Sequence, residues 1–559
     1  MKSNHIRILL LVTIAIMFVS LMGKWDETFP SSDNTQQTTT QTQDSTNHYS
    51  DSTTVTSGKA TTPEKSKVKE SLAAKTNFSE YDDSKSVTIN TSVFKGLKVS
   101  LNGGAITSAS LKDYTVSLED KSAMPLLTNK DKSQYIAKSN IVVDKKPLDV
   151  TFENKGVKKE GDKQVLTLAA SVDGLDIVRT YTFDDSKYNI SISQNITNTT
   201  GSPVNVIVDN SLARDFDPAG DSFSLLNAHS YTFTGVAYST TQDKFRKESF
   251  KDIAKSGGKP TIVGNVGNGW VAFVEHYFET AWIPQSINSI IYFKNIDQNI
   301  FEAGEYSSIT IQPSQSQDVT SVLYSGPIIK NNLAPLAPNL EKTLDYGMLS
   351  FFSEIIFWVM SHIHALVGNW GLAIILVTCL IKAIFYPLSA KSYRSMAKMR
   401  MLQPRMKRLQ ESYKDDRQQL GKKMMEMYKS EKVNPLSGCL PMVVQIPIFI
   451  SLYWVLLESV ELRHAPFIFW IHDLSIKDPF YVLPVLMGIS MFLQQKISPA
   501  PADPMQAKIM MFLPVMFTFL FSSFPAGLVL YWLTNNLISI TQQYIITRRY
   551  QASHTHKKK

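Results

Sequence analysis

The distribution of apolar residues divides the 559-residue chain into two parts. Between residues 78 and 338 the apolar residues form short runs that alternate with polar residues or are rich in β-branched side chains. Such runs, separated by turn residues, are typical of strands in an antiparallel sheet. They occupy residues 86–90, 96–101, 164–168, 178–183, 188–193, 204–208, 270–274 and 307–311. The pattern predicts a large all-β sandwich and has no repeat period of a propeller or solenoid.

After residue 338 the pattern changes to apolar segments that suit transmembrane helices. They occupy residues 370–388, 440–457, 481–493, 509–524 and 528–546. Another apolar segment, residues 8–23, follows Lys2 and Arg7 and lacks a small-residue cleavage site. It is predicted to stay as an N-terminal anchor, with a removed signal peptide as the alternative. The sequence therefore predicts a multidomain protein, in which an α-helical polytopic membrane core of five helices and an N-terminal anchor helix carry the all-β domain.

Lys382 lies inside the apolar segment 370–388, where a charge is unfavourable by roughly 2.5 to 3.5 kcal/mol. Such a lysine usually faces a hydrated cavity, although its long side chain also allows the ammonium to reach the headgroups. Polar residues on different helices favour a shared water-accessible groove, and hydrogen bonds between helices are the alternative. The groove candidates besides Lys382 are Gln445, Thr534, Asn535 and Asn536.

The charges of the connecting segments predict the orientation of the helices. The whole chain has a formal net charge of +8. Residues 389–433 contain thirteen Lys and Arg against five Asp and Glu, whereas residues 458–479 contain two against four. Positively charged connections remain in the cytoplasm. With the basic tail also inside, both termini are cytoplasmic, the chain crosses the membrane six times and the β domain lies outside.

The basic segment 389–433 has a helical pattern on both sides of a turn at residues 414–417, which predicts a cytoplasmic helical hairpin. Its cations suit ribosomal RNA or anionic lipid headgroups, although the orientation rule alone also accounts for them. Its methionines suit varied apolar partners or form the seam between the two helices. The residues selected as its binding surface are Arg394, Lys398, Arg400, Arg405, Met396 and Met399.

Sequence motifs of common enzymes are absent. The chain has no phosphate-binding P-loop, no nucleophile elbow and no zinc-binding His-Glu-x-x-His. His362 and His364 are two residues apart, so on a helix they diverge and do not form a metal pair. Cys379 and Cys439 are the only cysteines, which leaves no disulfide framework. We therefore expect no enzymatic activity, no cofactor and no metal site.

Ten short motifs stand out in the helical half of the chain. They lie at residues 368–371, 386–388, 395–404, 431–436, 445–449, 459–463, 465–467, 470–475, 503–506 and 525–531. Together they resemble the YidC membrane protein insertases of Gram-negative bacteria, a branch of the YidC/Oxa/Alb family. The β domain resembles the family by its position and character.

The resemblance implies a membrane protein insertase and chaperone that integrates inner-membrane proteins and helps them fold, alone or with the Sec translocon. It implies a positively charged hydrophilic groove that is open to the cytoplasm and lipid but closed to the periplasm. Lys382 takes the position of the family's groove arginine. A lysine has the same positive charge as an arginine, but it lacks the planar guanidinium group with its fork of hydrogen-bond donors. The family's substrate-contact positions correspond to Thr378, Tyr531 and Trp532.

The resemblance also implies the partners and the location. The expected partners are nascent membrane proteins, the Sec translocon and its accessory subunits, the ribosome or signal recognition machinery through the hairpin and basic tail, and membrane lipids. The expected location is the bacterial inner membrane, with the large domain in the periplasm. That domain is expected to be a β-supersandwich similar to sugar-mutarotase folds.

Composition, charge and resemblance together give the predicted domain boundaries. The Ser- and Thr-rich segment after the anchor has too few apolar residues to fold. For the helix before residue 367, a short additional span is the alternative to an interfacial position. The domains are an N-terminal transmembrane anchor (1–24), a disordered linker (25–77), a periplasmic β-supersandwich (78–338), a periplasmic interfacial amphipathic helix (339–366), transmembrane helix 2 (367–388), a cytoplasmic basic helical hairpin (389–433), transmembrane helices 3 to 6 (434–547) and a basic cytoplasmic tail (548–559).

Two other functions compete with insertion. A solute or lipid transporter would use the same polar cavity, but the paired inverted repeats and discontinuous helices of such proteins are not evident in the sequence. A sugar-modifying activity of the β domain would rest on fold analogy alone. We therefore expect an insertase whose groove charge is Lys382.

Overall fold

The computed structural model describes residues 81–555 apart from short segments. The segments left out are residues 82, 131–132, 145, 218–231, 266, 287, 298, 414–415, 432, 434–439 and 499–503. The predicted anchor (1–24), the predicted linker (25–77) and the last four residues of the tail lie outside the described residues.

The β domain contains nineteen strands among the described residues. They are β1 Ser86–Ile89, β2 Phe94–Ser100, β3 Ile106–Thr115, β4 Ala123–Lys130, β5 Ser133–Val143, β6 Lys146–Pro147, β7 Glu153–Glu160, β8 Lys163–Val172, β9 Leu175–Asp184, β10 Asn189–Asn198, β11 Val204–Asp215, β12 Gly235–Ser239, β13 Arg246–Ser249, β14 Thr261–Asn265, β15 Trp270–Val274, β16 Phe278–Pro284, β17 Ile290–Asp297, β18 Ile300–Ile311 and β19 Ser316–Pro327. Two short helices, α1 Phe250–Ala254 and α2 Lys330–Leu333, accompany them. Each run predicted to be a strand overlaps one of these strands.

The strands form two antiparallel sheets. One sheet has the order β1-β2-β3-β4-β5-β11-β18-β17-β14, with β6 beside β5. The other has the order β13-β12-β15-β16-β19-β10-β9-β8-β7. Apolar side chains of both sheets, among them Leu97, Val208, Leu166 and Ile192, pack into one core. This arrangement confirms the predicted all-β sandwich.

Eight longer helices follow the β domain in the described part of the chain. They are α3 Ser350–Val367, α4 Trp370–Ile384, α5 Tyr386–Ser412, α6 Arg417–Ser430, α7 Leu440–Glu458, α8 Val482–Ile497, α9 Pro504–Phe521 and α10 Ala526–Thr555. Helix α10 packs against α4, α5 and α8, and α3 packs against α4 and α7. Ile374, Leu456, Met487 and Tyr531 lie in the shared core of this bundle.

These helices differ in whether they are long and apolar enough to cross a membrane. Within the described residues, Gly347–Val367 is the one helical stretch that is long and apolar enough by itself. Helices α4 and α5 together form a second candidate that is bent by 69°. Because the helix predicted to lie in the interface has the length and composition of a span, both predictions for residues 339–366 stay open.

Helix α4 ends four residues before the predicted end of its segment at 388. Pro387 explains this end, because it lies in the first turn of α5 and has no N–H to donate to the preceding turn. At the other end of α4 the Asn369 side chain caps the helix by accepting from the N–H of Leu372 at 3.0 Å. The break places Lys382 in the last turn of α4, beside the bend.

The β domain contacts the helical bundle at one end. Val460, which follows α7, packs into the core of the sandwich. Arg463 Nη2 donates to the carbonyl oxygen of Val116 at 2.9 Å. Lys247 forms an ion pair of 3.0 Å with Asp345, just before α3. The two parts are therefore joined by side-chain contacts as well as by the chain.

A buried carboxyl group lies near this contact. Glu279, on β16, is 2% exposed, and neither of its carboxylate oxygens has a hydrogen-bond partner among the described residues. The nearby Thr343 hydroxyl donates instead to the carbonyl oxygen of Leu340 at 2.7 Å. Burial raises the pKa of Glu279 to about 8. The folded protein therefore holds this carboxyl mostly protonated at neutral pH.

The contribution of Glu279 to stability is expected to fall as the pH rises from about 4.5 to about 8. In this window the folded state keeps a proton that the unfolded state releases, whereas at lower pH both states hold it. The free energy of unfolding falls by at most about 1.4 kcal/mol for each pH unit in this window. Thermal unfolding of the full chain, followed by tryptophan fluorescence, measures this dependence; the buried Trp270 and Trp282 contribute the signal of the β domain. Glu279→Gln should reduce the pH dependence of the stability. An unchanged pH dependence would contradict the raised pKa of Glu279.

Candidate functional site

Lys382 points from the last turn of α4 into the helical bundle, and the residue is 5% exposed. Its Nζ donates to Ser539 Oγ on α10 at 2.7 Å. Among the described residues, no carboxylate forms an ion pair with this ammonium. The site is therefore a buried cation that is hydrogen-bonded to a neutral hydroxyl.

Two other buried lysines provide a comparison within the same chain. Lys138 and Lys294 in the β domain both pair with Glu302, at 2.5 and 3.0 Å. A buried charge without an opposite charge is costly, and such a charge in a membrane segment is usually functional. Lys382 differs from the two paired lysines in this respect.

An open cavity of about 440 Å³ adjoins Lys382. Its walls come from α4, from α10 and from the first turn of α5. The lining residues are Cys379, Lys382, Ala383, Tyr386, Ile538 and Gln542. A cavity beside the buried cation is what the predicted groove requires. Its filling by water stays a prediction.

Polar side chains connect this cavity to the next helix. Ser539 Oγ donates to the backbone carbonyl oxygen of Asn535 at 2.7 Å. The Gln445 Nε2 group on α7 donates to the Asn535 side-chain oxygen. Hydrogen bonds therefore link α4 to α10 between Lys382 and Ser539, and α10 to α7 between the Asn535 side chain and Gln445. Three of the predicted groove residues are brought together in this way.

The other predicted groove residues have different positions. Asn536 Nδ2 donates to Ser490 Oγ on α8 at 3.0 Å, so it faces away from Gln445. Thr534 is partly buried on α10. Helix α10 thus makes polar contacts with α4, α7 and α8. The sequence left a water-accessible groove and hydrogen bonds between helices as alternatives. The hydrogen bonds between helices are present in the structure, and the groove stays a prediction.

The predicted substrate-contact residues lie mostly inside the bundle. Thr378 is buried, and its hydroxyl donates to the carbonyl oxygen of Ile374 on its own helix at 2.6 Å. Tyr531 is also buried, whereas Trp532 is partly buried against Phe449. Contact of a substrate with Thr378 or Tyr531 therefore requires the helices to separate. Their role stays a prediction.

Helices α5 and α6 form the predicted hairpin. Arg394, Arg400 and Arg405 are exposed on α5, and Lys398 is half-buried. Arg405 pairs with Glu431 after α6 at 2.5 Å, which ties the two helices together. Met396 and Met399 are half-buried, and Met396 packs against a small cluster that joins α5 to α10. Met396 therefore contributes to the packing of α5 on α10, and partner binding by the methionines stays a prediction.

Two site residues were missed or undervalued by the sequence analysis. Ser539 was not selected as a groove residue, yet it accepts the hydrogen bond of Lys382. Ser490 was not selected either, although its hydroxyl oxygen accepts a hydrogen bond from the Asn536 side-chain amide. A serine inside an apolar run was the available signal. In the described part of the chain, no cluster of three or more His, Cys, Asp or Glu is arranged to hold a metal ion.

A bundle of apolar helices with a buried cation, joined to an all-β domain, is the architecture of a membrane protein with one large domain outside the membrane. The family model described as "60Kd inner membrane protein" matches residues 362–554, and "YidC periplasmic domain" matches residues 86–359. Membrane protein insertase YidC of Francisella philomiragia is 75% identical over 99% of this chain and 100% of that protein. The insertase of Francisella tularensis subsp. novicida is 74% identical with the same coverage. The chain belongs to the YidC family of membrane protein insertases.

Two solved structures are similar to parts of the chain. The crystal structure of an active YidC insertase, with its first transmembrane domain resolved, matches 82% of this chain and 92% of that chain, with 18% identity and a TM-score of 0.36. A galactose mutarotase-like protein from Lactobacillus casei matches 43% of this chain and 99% of that chain, with 11% identity and a TM-score of 0.31.

Family membership settles several expectations. It confirms an inner-membrane protein with a periplasmic β domain and a helical insertase region. The substrates are nascent membrane proteins. Insertion makes and breaks no covalent bond, so the prediction that the chain is not an enzyme is confirmed.

The hydrogen bond between Gln445 and Asn535 is expected to stabilise the bundle by about 0.6 kcal/mol, and by at most about 1.7 kcal/mol. Replacing either residue by leucine leaves the other without this partner, so the double variant should lose less stability than the two single variants combined. Denaturant unfolding of the full chain in lipid bicelles measures the three free energies. Thr541→Ala, at an exposed position on α10, is the control. Strictly additive losses would show that the two side chains are not coupled.

Proposed function

We propose that the chain inserts nascent membrane proteins, and helps them fold, through a hydrophilic groove at Lys382, alone or together with the Sec translocon. The main support is the buried Lys382 ammonium, which has no carboxylate partner among the described residues and adjoins a cavity of about 440 Å³. A buried ammonium without a carboxylate partner attracts the carboxylates of a passing substrate, because charge-assisted hydrogen bonds are stronger inside a protein than in bulk water. The groove thus favours acidic segments.

The physical barrier to insertion determines what the groove has to do. A nascent helix gains free energy when its apolar residues reach lipid, but its polar terminus or loop has to cross hydrocarbon first. A polar cavity that extends partway into the bilayer shortens this crossing. The polar side chains between Lys382 and Gln445 supply hydrogen-bond donors and acceptors along the path. Lowering this barrier is the proposed mechanism.

The proposed groove is open to the cytoplasm and lipid and closed to the periplasm. The basic helix α5 begins four residues after Lys382, which supports a cytoplasmic position for this end of α4. Leu380 and Ile384 on α4 are exposed, as expected for a lipid-facing side. Towards the β domain, Ile374 and Tyr531 fill the space between the helices. The cavity therefore ends in a closed apolar core.

The proposed topology follows the positive-inside rule. Both termini are placed in the cytoplasm, with six crossings that include the N-terminal anchor. The basic connection formed by α5 and α6 and the basic end of α10 then lie inside, while the β domain lies outside. This topology agrees with a β domain of the periplasmic-domain family.

The proposed cytoplasmic partners are the ribosome or the signal recognition machinery. The exposed cations Arg394 and Arg400 on α5 support an acidic partner such as ribosomal RNA, whereas Arg405 already pairs with Glu431. Anionic lipid headgroups compete for the same surface. We also include the Sec translocon and its accessory subunits among the partners, on the strength of the family alone.

Charge reversal at Lys382 is expected to impair insertion selectively. Lys382→Glu should lower insertion of a substrate with an acidic translocated segment about tenfold, which corresponds to about 1.4 kcal/mol. The reason is repulsion in place of attraction inside the cavity. Lys382→Arg keeps the charge and should preserve insertion. The measurement is protease protection of the translocated segment in vesicles that contain the purified protein.

Two controls separate a groove effect from a general loss of charge or fold. Lys391→Glu makes the same charge change at an exposed position on α5 and should leave insertion unchanged. A substrate with a neutral translocated segment should respond weakly to Lys382→Glu. If the Lys382→Glu protein, present in normal amounts, inserts the acidic substrate as well as the original chain does, the groove charge has no part in insertion.

A further inference from the structure

The connection between α7 and α8, residues 459–481, exposes an apolar surface next to the β domain. We refer to it as the aromatic loop. Its most exposed apolar residues are Phe469 at 80% and Phe480 at 68%. Ile468, Ile476 and Tyr481 are exposed as well. A soluble surface rarely keeps such a group of large apolar side chains together without a covering partner.

A single buried carboxylate fixes the two most exposed rings. Asp478 is 1% exposed and accepts hydrogen bonds from Trp470 Nε1 at 2.9 Å and from the N–H of Phe480 at 3.0 Å. It also accepts from the N–H of Leu483, at the start of α8, at 2.7 Å. The ring of Phe469 stacks on Trp470 with centroids 6.0 Å apart. Both phenylalanines are therefore held in place by a rigid structure.

The helical bundle also holds the aromatic loop. The N–H groups of Ala526 and Gly527, at the start of α10, donate to the carbonyl oxygens of Ile476 and Leu474 at 2.7 and 3.0 Å. The ring of Phe467 fills the space where a side chain on Gly371 of α4 would lie. The exposed rings are thus fixed relative to α4 and α10.

The backbone of the loop is strained where it presents its aromatic residues. Phe469 has a φ of 53° and Tyr481 a φ of 56°. Bulky residues rarely adopt this left-handed conformation, which persists only when the surroundings enforce it. The chain thus tolerates an unfavourable backbone at the positions where apolar rings are exposed.

The position of the loop identifies what covers it. The His464 ring hydrogen-bonds with the Thr115 hydroxyl of the β domain at 3.1 Å. Because that domain is periplasmic, the loop lies at the periplasmic surface of the membrane. The exposed apolar face of α8, which includes Val485 and Leu486, begins directly after Tyr481. The apolar surface of the loop therefore continues a surface that already faces lipid.

The length of α8 and the charges of the loop agree with a lipid partner. Helix α8 has 16 residues and is about 24 Å long, whereas the hydrocarbon core is about 30 Å thick. An apolar loop at its periplasmic end lengthens the apolar band. Both acidic residues near the rings, Asp473 and Asp478, are buried, while Lys477 is exposed and suits lipid phosphates. Aromatic residues are favoured at the boundary between the membrane and water.

We infer that the aromatic loop inserts Phe469 and Phe480 into the periplasmic leaflet of the inner membrane. The occupant of its apolar surface is phospholipid, with the acyl chains around the rings and the headgroups beside Lys477. The loop thereby fixes the depth of α8 and the height of the β domain above the bilayer. This role is separate from the charge of the groove at Lys382, because the loop lies at the other end of α4.

The experiment measures the depth of the loop with a fluorescent bimane label. Phe469→Cys and Phe480→Cys are made in the full chain with Cys379→Ser and Cys439→Ser, and each protein is reconstituted into phospholipid vesicles. His472→Cys, at an exposed polar position in the same loop, is the matched control. Aqueous iodide and phospholipids carrying a nitroxide near the headgroup are the two quenchers.

Labels at positions 469 and 480 should be quenched strongly by the nitroxide lipid and weakly by iodide, and the label at 472 should show more iodide quenching than either. Equal iodide quenching at all three positions would overturn the inference, because the rings would then lie in water. Protection from both quenchers would overturn it as well, because a protein surface would then cover the loop. Using two phenylalanine positions keeps the test valid if one variant fails to fold.

Discussion

The hydrogen bond between the Lys382 ammonium and the Ser539 hydroxyl, 2.7 Å long, joins α4 to α10 at the polar centre of the helical bundle. An ammonium among apolar helices requires a partner or water. Ser539 supplies one partner, and the cavity leaves space for more. Ser539 in turn donates to Asn535, whose side chain accepts from Gln445 on a third helix. The polar centre therefore joins three helices while leaving the charge of the lysine uncompensated.

The two ends of the bundle have different physical characters. Towards the β domain the helices close over apolar residues, and the loop after α7 is fixed by Asp478 and by contacts with the sandwich. Towards α5 the bend after Ile384 leaves a cavity beside a cation. A closed end and an open end that carries a cation agree with the proposed groove, in which short hydrophilic segments would enter the bilayer from one side. The buried lysines of the β domain differ in this respect, because both pair with Glu302.

The sequence predicted those parts of the structure that depend on local patterns. The alternating run in β9 and the apolar run in β15 were identified, because each is visible within a few residues. Strand β7 was missed because nearly all of its residues are exposed and give no alternation. Strand β5 was missed as well, and its buried Lys138 pairs with Glu302, which is far away in the sequence. Lys382 was predicted to be a site residue because it is a charged residue in an apolar segment. The burial of Thr378 depends on how the helices pack together, which cannot be predicted from one segment.

Chemical labelling of Cys379 tests most directly whether the cation lies in a water-accessible cavity. Cys379 is exposed and lines the cavity with Lys382, and with Cys439→Ser it becomes the only thiol of the chain. A membrane-impermeant maleimide should label it in inverted inner-membrane vesicles, which present the cytoplasmic face, and much more slowly in vesicles of the opposite orientation. Labelling that requires detergent in both orientations would place the cavity in lipid, out of reach of water, and would contradict the account.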